Sequence, residues 1–125
     1  MATFLSKFVK RLQRSPQREV VVTADGFRIV FEEKEKFSVQ WSAVLEVYAY
    51  VADLFSYDEV CIGFRSESEE RDVWVGEDDV GYEKLLKALP THFSDIRTDW
   101  YSQVRGPAFV TNRTTLWGSP ASDPK

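Results

Sequence analysis

FSVQWSAVLEVYAY, residues 37–50, is the stretch on which the fold turns. Phe37, Val39 and Trp41 alternate with Ser38 and Gln40, the period of a strand with one wet face. Ser42-Ala43-Val44 reads as a corner. Glu46 to Val51 is then a mostly apolar strand, with Tyr48 and Tyr50 on one face and Val47, Ala49 and Val51 on the other.

The same period extends in both directions. Upstream, Val20-Val21-Val22 starts a strand, and Asp25-Gly26 signals a hairpin because Gly tolerates positive φ. Phe27, Ile29 and Phe31 alternate with Arg28, Val30 and Glu32, and the charged run Glu33–Lys36 makes the next turn. Downstream, Asp53–Asp58 breaks the alternation and reads as a loop. Val60, Ile62 and Phe64 alternate with Cys61, Gly63 and Arg65; Ser66–Glu70 turns the chain, and Arg71–Val75 returns as a strand. About six strands joined by short polar turns predict an antiparallel meander.

After Gly76 the period becomes helical. Asp78 or Asp79 caps a helix with the stripe Val80, Tyr82, Leu85, Leu86 and Leu89, which Pro90 ends. Thr98 caps a shorter helix, Asp99–Val104. Phe109, Val110, Leu116 and Trp117 close the domain as a short strand or extended segment, and 118–125 is a flexible tail. The domain therefore spans 19–117: an α+β fold in which a bent sheet or partial barrel is packed by C-terminal helices.

This arrangement resembles the pleckstrin-homology-like fold of small bacterial proteins. The resemblance is carried by residues 37–50, the strand pair around Ile62 and Trp74 and the helix Gly81–Leu89, within residues 19–90. It implies a binding scaffold for phosphoinositide head groups, peptides or proteins. Lipid-binding members use a basic pocket between the first two strands. Here that turn is Ala24-Asp25-Gly26-Phe27, with Arg28 as the nearby base, a departure from the pattern.

Charge is unevenly spread. Of 16 basic and 20 acidic residues, Lys7, Lys10, Arg11, Arg14 and Arg18 fall in residues 1–18, which hold no acid. That arm is +5, leaving 11 basic against 20 acidic residues, or −9, on the body. An acidic body argues against nucleic acid as a partner, because phosphates need cations. Within the arm, Thr3 can cap a helix whose face is Phe4, Leu5, Phe8, Val9 and Leu12. Charges interrupt its apolar residues and no small-residue cleavage site follows, so it does not read as a secretory leader. The helix can dock on the domain, lie on an anionic membrane through Phe4, Lys7, Phe8, Lys10, Arg11 and Arg14, or engage a partner protein. No apolar run approaches the roughly 20 residues of a membrane span.

One Cys and one His exclude an internal disulfide, a multi-Cys zinc site and a His-rich metal site. They also leave Cys61 and His92 as the sole nucleophile–base candidates, and nothing places them together: Cys61 is a small hydrophobe in a strand, and His92 follows Pro90-Thr91 in a loop. No carboxylate pair stands out for glycosidic chemistry. Glu77, Asp78 and Asp79 lack the spacing and turn glycine of a calcium loop, and helix capping accounts for them. Asn112-Arg113-Thr114 matches a glycosylation sequon that carries little weight without a leader. Neither catalytic residue, metal nor cofactor is expected.

Two features point to a partner. Leu54, Phe55 and Tyr57 put large apolar side chains in a loop, as a contact site or as a satellite cluster beneath the N-terminal helix. Glu69, Glu70, Glu77, Asp78 and Asp79 concentrate acid on turns, placed at one end of the sheet, which would speed association with a basic partner. The sequence thus predicts a non-enzymatic, cytoplasmic protein-binding module of immunity or adaptor type that masks a basic protein such as a toxin. The alternative is a peripheral membrane module acting through its N-terminal helix.

Overall fold

The computed structural model describes residues 17–54, 57–101 and 113–120. Among these residues are seven strands in two antiparallel sheets and the α-helix that follows the sixth strand. Strands β1 (Glu19–Val22), β2 (Gly26–Phe31) and β3 (Lys34–Gln40) form a three-stranded sheet in that order. Strands β4 (Val44–Leu54), β5 (Tyr57–Ser66), β6 (Val73–Gly76) and β7 (Thr114–Gly118) form the second, ordered β6-β5-β4-β7. Helix α1 spans Tyr82–His92. Among these residues no helix is long and apolar enough to cross a membrane.

The corner after Trp41 is a single 3-10 turn, Trp41–Ala43. It is fixed at both ends: the Trp41 N–H donates to the Asp25 carbonyl (2.9 Å), and the Glu67 N–H to that of Ala43 (2.9 Å). Chain direction changes there while the apolar parity is kept, so both sheets aim into one core. Phe27 packs on Phe64 (centroids 4.7 Å) and on Trp41 (5.6 Å), joining the sheets. Ile29, Val39, Val47, Ile62, Val75 and Leu85 are each at most 1% exposed within that core. Full burial of side chains of this size contributes about 1.5–3 kcal/mol each.

Several local expectations are corrected. The β2–β3 turn is not Glu33–Lys36 but the pair Glu32-Glu33, both at positive φ (53° and 67°). Lys34, Glu35 and Lys36 belong to β3, with the register slipping between Ile29 and Val30. A two-residue turn needing left-handed backbone normally advertises itself with Gly or Asn, and here it is hidden in glutamates. Within the expected loop 53–58, the described residues belong to strands: Asp53 pairs with Asp58 and Leu54 with Tyr57 in the β4–β5 register.

Asp78 and Asp79 do not cap α1. Its N-cap is Gly81, at φ 91°, where a Cβ would lie 2.3 Å from the Val20 carbonyl oxygen. Val80 lies outside the helix, bridging β1 through its N–H to the Arg18 carbonyl and its carbonyl to the Val20 N–H. Pro90 does not end the helix either. It sits on the exposed side within it, and α1 runs on to His92 because the Phe93 N–H reaches the Leu89 carbonyl (2.8 Å). His92 is therefore in the last helical turn rather than a loop, stacked on Trp41 at 4.5 Å. Of the expected second helix, Asp99 and Trp100 are not helical, Tyr101 is, and residues 102–104 lie outside the described residues.

Candidate functional site

The β4–β5 register places Glu46, Tyr48, Tyr50 and Ala52 opposite Arg65, Gly63, Cys61 and Glu59 on the face turned away from the core. Opposite Gly63 and Cys61, β6 adds Trp74 and Gly76. The two ends of this face carry opposite electrostatics.

At one end the Glu46 carboxylate is fully buried. It accepts two hydrogen bonds from the Arg113 guanidinium (2.7 and 2.8 Å) and one from the Thr115 hydroxyl (2.7 Å), with Arg65 Nε at 3.7 Å. Arg113 also lies over the Tyr48 ring (3.8 Å), and the Tyr48 hydroxyl donates to Asp72 (2.6 Å). Burial by itself would raise the Glu46 pKa. Hydrogen bonds from Arg113 and Thr115, with the charges of Arg113 and Arg65, outweigh it and hold the carboxyl below its ordinary range.

At the hairpin end the acids gather. Asp53 and Asp58 are direct register partners. Next along β5, the Glu59 carboxylate is 6% exposed and lies over Gly76, where a Cβ would meet Oε2 at 2.1 Å. Backbone donors orient the acids: the Asp78 N–H donates to Glu59 Oε2 (3.0 Å), the Val60 N–H to Glu77 Oε1 (2.9 Å) and the Gly76 N–H to Asp79 Oδ2 (3.0 Å). The Tyr101 hydroxyl contacts Glu77 at 3.4 Å. Arg18 reaches in with one nitrogen on Asp79 (3.3 Å) and one on the Trp74 carbonyl (2.8 Å), its guanidinium 3.8 Å above the Trp74 ring. Burial first, then the neighbouring acids Asp78, Asp79 and Glu77, push the Glu59 pKa up. Burial also raises that of Asp79, against the pull of the Gly76 N–H and Arg18.

Of the residues predicted to bind a partner, Glu77, Asp78 and Asp79 are brought together here, beside the hairpin that carries Leu54 and Tyr57. Phe55 lies outside the described residues, as do Phe4, Lys7, Phe8, Lys10, Arg11 and Arg14. The acids do not share one end of the sheet: Glu69 and Glu70 sit in the β5–β6 turn at the opposite end of β5, because each antiparallel reversal alternates the ends. Glu69 there accepts the Ser38 N–H (3.3 Å). Sequence reading missed Glu59 and Asp58, whose role depends on strand register. It also missed the Glu46–Arg113 pair, which spans 67 residues, and it left Arg18 in the basic arm although Asp79 holds it to the body.

Chemically this end is an anionic surface. The Cys61 thiol is buried and its pKa is pushed up to about 12, chiefly by burial and then by Glu59, so it stays protonated and unreactive. Among the described residues no group of three or more His, Cys, Asp or Glu side chains could hold a metal ion. Comparison with family models, curated proteins and solved structures gave no match to this chain.

Proposed function

We propose that this chain is a non-enzymatic protein-binding module whose hairpin end covers a basic partner. The observation that carries the reading is the acidic crowding of that end. Asp58, Glu59, Glu77, Asp78 and Asp79 lie within a few residues of one another there. Buried carboxylates next to other acids are costly. A cationic partner would relieve that cost on binding, and the negative potential would steer its approach.

In its finer form the reading is a cytoplasmic immunity or adaptor-type protein with a pleckstrin-homology-like architecture, masking a basic protein such as a toxin. Two successive antiparallel sheets followed by a helix favour that architecture, while the strand β7 added beside β4 after the helix departs from it.

The test is affinity capture by the full chain from the cells that make it, at low and at high salt. The expected result is a stoichiometric basic protein, retained at low salt and lost when the exposed Asp58 and Asp78 are both changed to Lys. Recovery of no such partner, or equal recovery by the charge-reversed chain, overturns the proposal. Binding of the full chain to anionic vesicles in place of a protein would instead support the membrane alternative, which rests on residues 1–14.

A further inference from the structure

A second surface stands apart from the acidic end. Among the described residues β3 pairs with β2 alone, so its other edge carries unpaired peptide groups. Five consecutive residues of this strand, Lys34 to Ser38, are exposed. Native edges are usually guarded by charge, and Lys34, Glu35 and Lys36 guard the first half. The second half, Phe37 to Gln40, carries no charge of its own.

That half is closed by a side chain from far along the sequence. The Ser38 N–H does not join the ladder to β2; it donates to the carboxylate of Glu69, 31 residues away, at 3.3 Å. Ser38 therefore points its N–H outward, and the strand period gives Gln40 the same direction. Glu69 occupies the place of a carbonyl oxygen in a neighbouring strand. The bond is long for a charge-assisted one, which favours 2.7–2.9 Å, and it is exposed to water. A true strand carbonyl could replace it.

The side chains along this edge say what would replace it. Phe37 pairs with buried Ile29 on the core-facing side, yet it is itself 37% exposed, and among the described residues no strand lies beyond it. An added strand with apolar residues at that parity would cover it. At the other parity its side chains would approach Glu69, whose carboxylate reaches Ser38 from a turn that also carries Glu67 and Glu70, and such a turn favours cations.

We infer that the free edge of β3 over Phe37–Gln40 is a docking site for an extended peptide of alternating apolar and basic residues. The peptide adds as a fourth strand beside β3 and displaces Glu69 from the Ser38 N–H. This inference is independent of the acidic hairpin end, and the two fail separately.

The probe is an end-capped octapeptide of alternating Val and Lys, titrated into the full-length, isotope-labelled protein and followed at each backbone amide. The expected result is saturable shifts centred on Ser38 and Gln40, with slowed hydrogen exchange at both. N-methylation of one of the two alternating sets of peptide nitrogens should weaken binding about tenfold for each backbone hydrogen bond lost. Ser38→Pro should abolish binding with the fold intact, since an outward N–H on an edge strand is the position where Pro removes no ladder bond. The methylated peptides carry the test if that variant does not fold. Equal binding by the peptide and both of its methylated forms would reduce the contact to electrostatic adsorption and overturn the inference. Shifts confined to Asp58 and Glu77–Asp79 would overturn it while favouring the acidic end. Dimerisation of Glu69→Ala without peptide capture would overturn it in favour of a second copy of the chain.

Discussion

Glu46 and Glu59 lie on the same face of one sheet, and both are almost fully removed from water. Glu46 has two arginines and a hydroxyl around it, and its pKa is pulled down. Glu59 has three acids and one backbone N–H, and its pKa is pushed up. Burial acts on both in the same direction, so the difference is made by partners. The first glutamate is a structural clamp that ties β7 to the centre of the sheet. The second is held beside other acids, and Arg18 reaches Asp79 there rather than Glu59. A carboxylate that is tolerated rather than satisfied marks the surface where a partner would gain most.

Removing the clamp should give the largest effect. Arg113→Ala leaves the buried Glu46 carboxylate with the Thr115 hydroxyl and Arg65 Nε at 3.7 Å. Breaking a buried pair costs about 3–5 kcal/mol, but Arg113 is 44% exposed and partly screened, so about 2–3 kcal/mol is expected. Urea unfolding checks it, and a loss below about 0.5 kcal/mol would make the clamp no more than a surface ion pair.

A smaller effect is expected from Gly76→Ala. The added methyl would sit 2.1 Å from Glu59 Oε2, so the carboxylate must leave its place and release the Asp78 N–H. A cost of about 1–2 kcal/mol and faster exchange of the Asp78 amide should follow. An unchanged exchange rate would mean that Glu59 is not held where its burial says it is.

The smallest effect sharpens the comparison most, because its sign differs between the two sites. The Glu59 pKa is raised on folding, so the folded state holds its proton longer. Its contribution to stability falls as pH rises from the ordinary value of 4.5 through the raised pKa. Glu59→Gln should therefore stabilise the protein at pH 7, with the gain fading as pH falls towards 4.5. The Glu46 pKa is lowered, so its contribution is present above 4.5 and is lost as pH falls through the lowered pKa. Glu46→Gln should destabilise at pH 7, with the difference shrinking in acid. Thermal unfolding of both variants from pH 3 to 8 reads the two profiles, and profiles of the same sign would end the distinction.

Much of the framework was legible beforehand. The alternation in 37–51 and 60–65 located β3, β4 and β5 together with their core faces, and the stripe from Tyr82 to Leu89 located α1. The errors fell where local signals were absent or shared. Glu32-Glu33 makes a turn without a turn residue. The polar and aromatic residues at 53–58 look like a loop, yet Asp53, Leu54, Tyr57 and Asp58 extend a ladder. Asp79 fits a helix cap as well as a turn clasp, and the clasp prevailed because Val80 is drawn to β1.

The sequence by itself determined which residues alternate, which face each strand buries and where the helical period begins. These follow from backbone geometry acting over a few neighbours. Only the tertiary structure decided that Arg113 answers Glu46 across 67 residues, that Glu69 closes the edge of β3, and that Glu59 joins the acids of the next turn rather than an arginine. Those pairings depend on register and topology, and a carboxylate carries no local signal of the partner that the fold will bring to it.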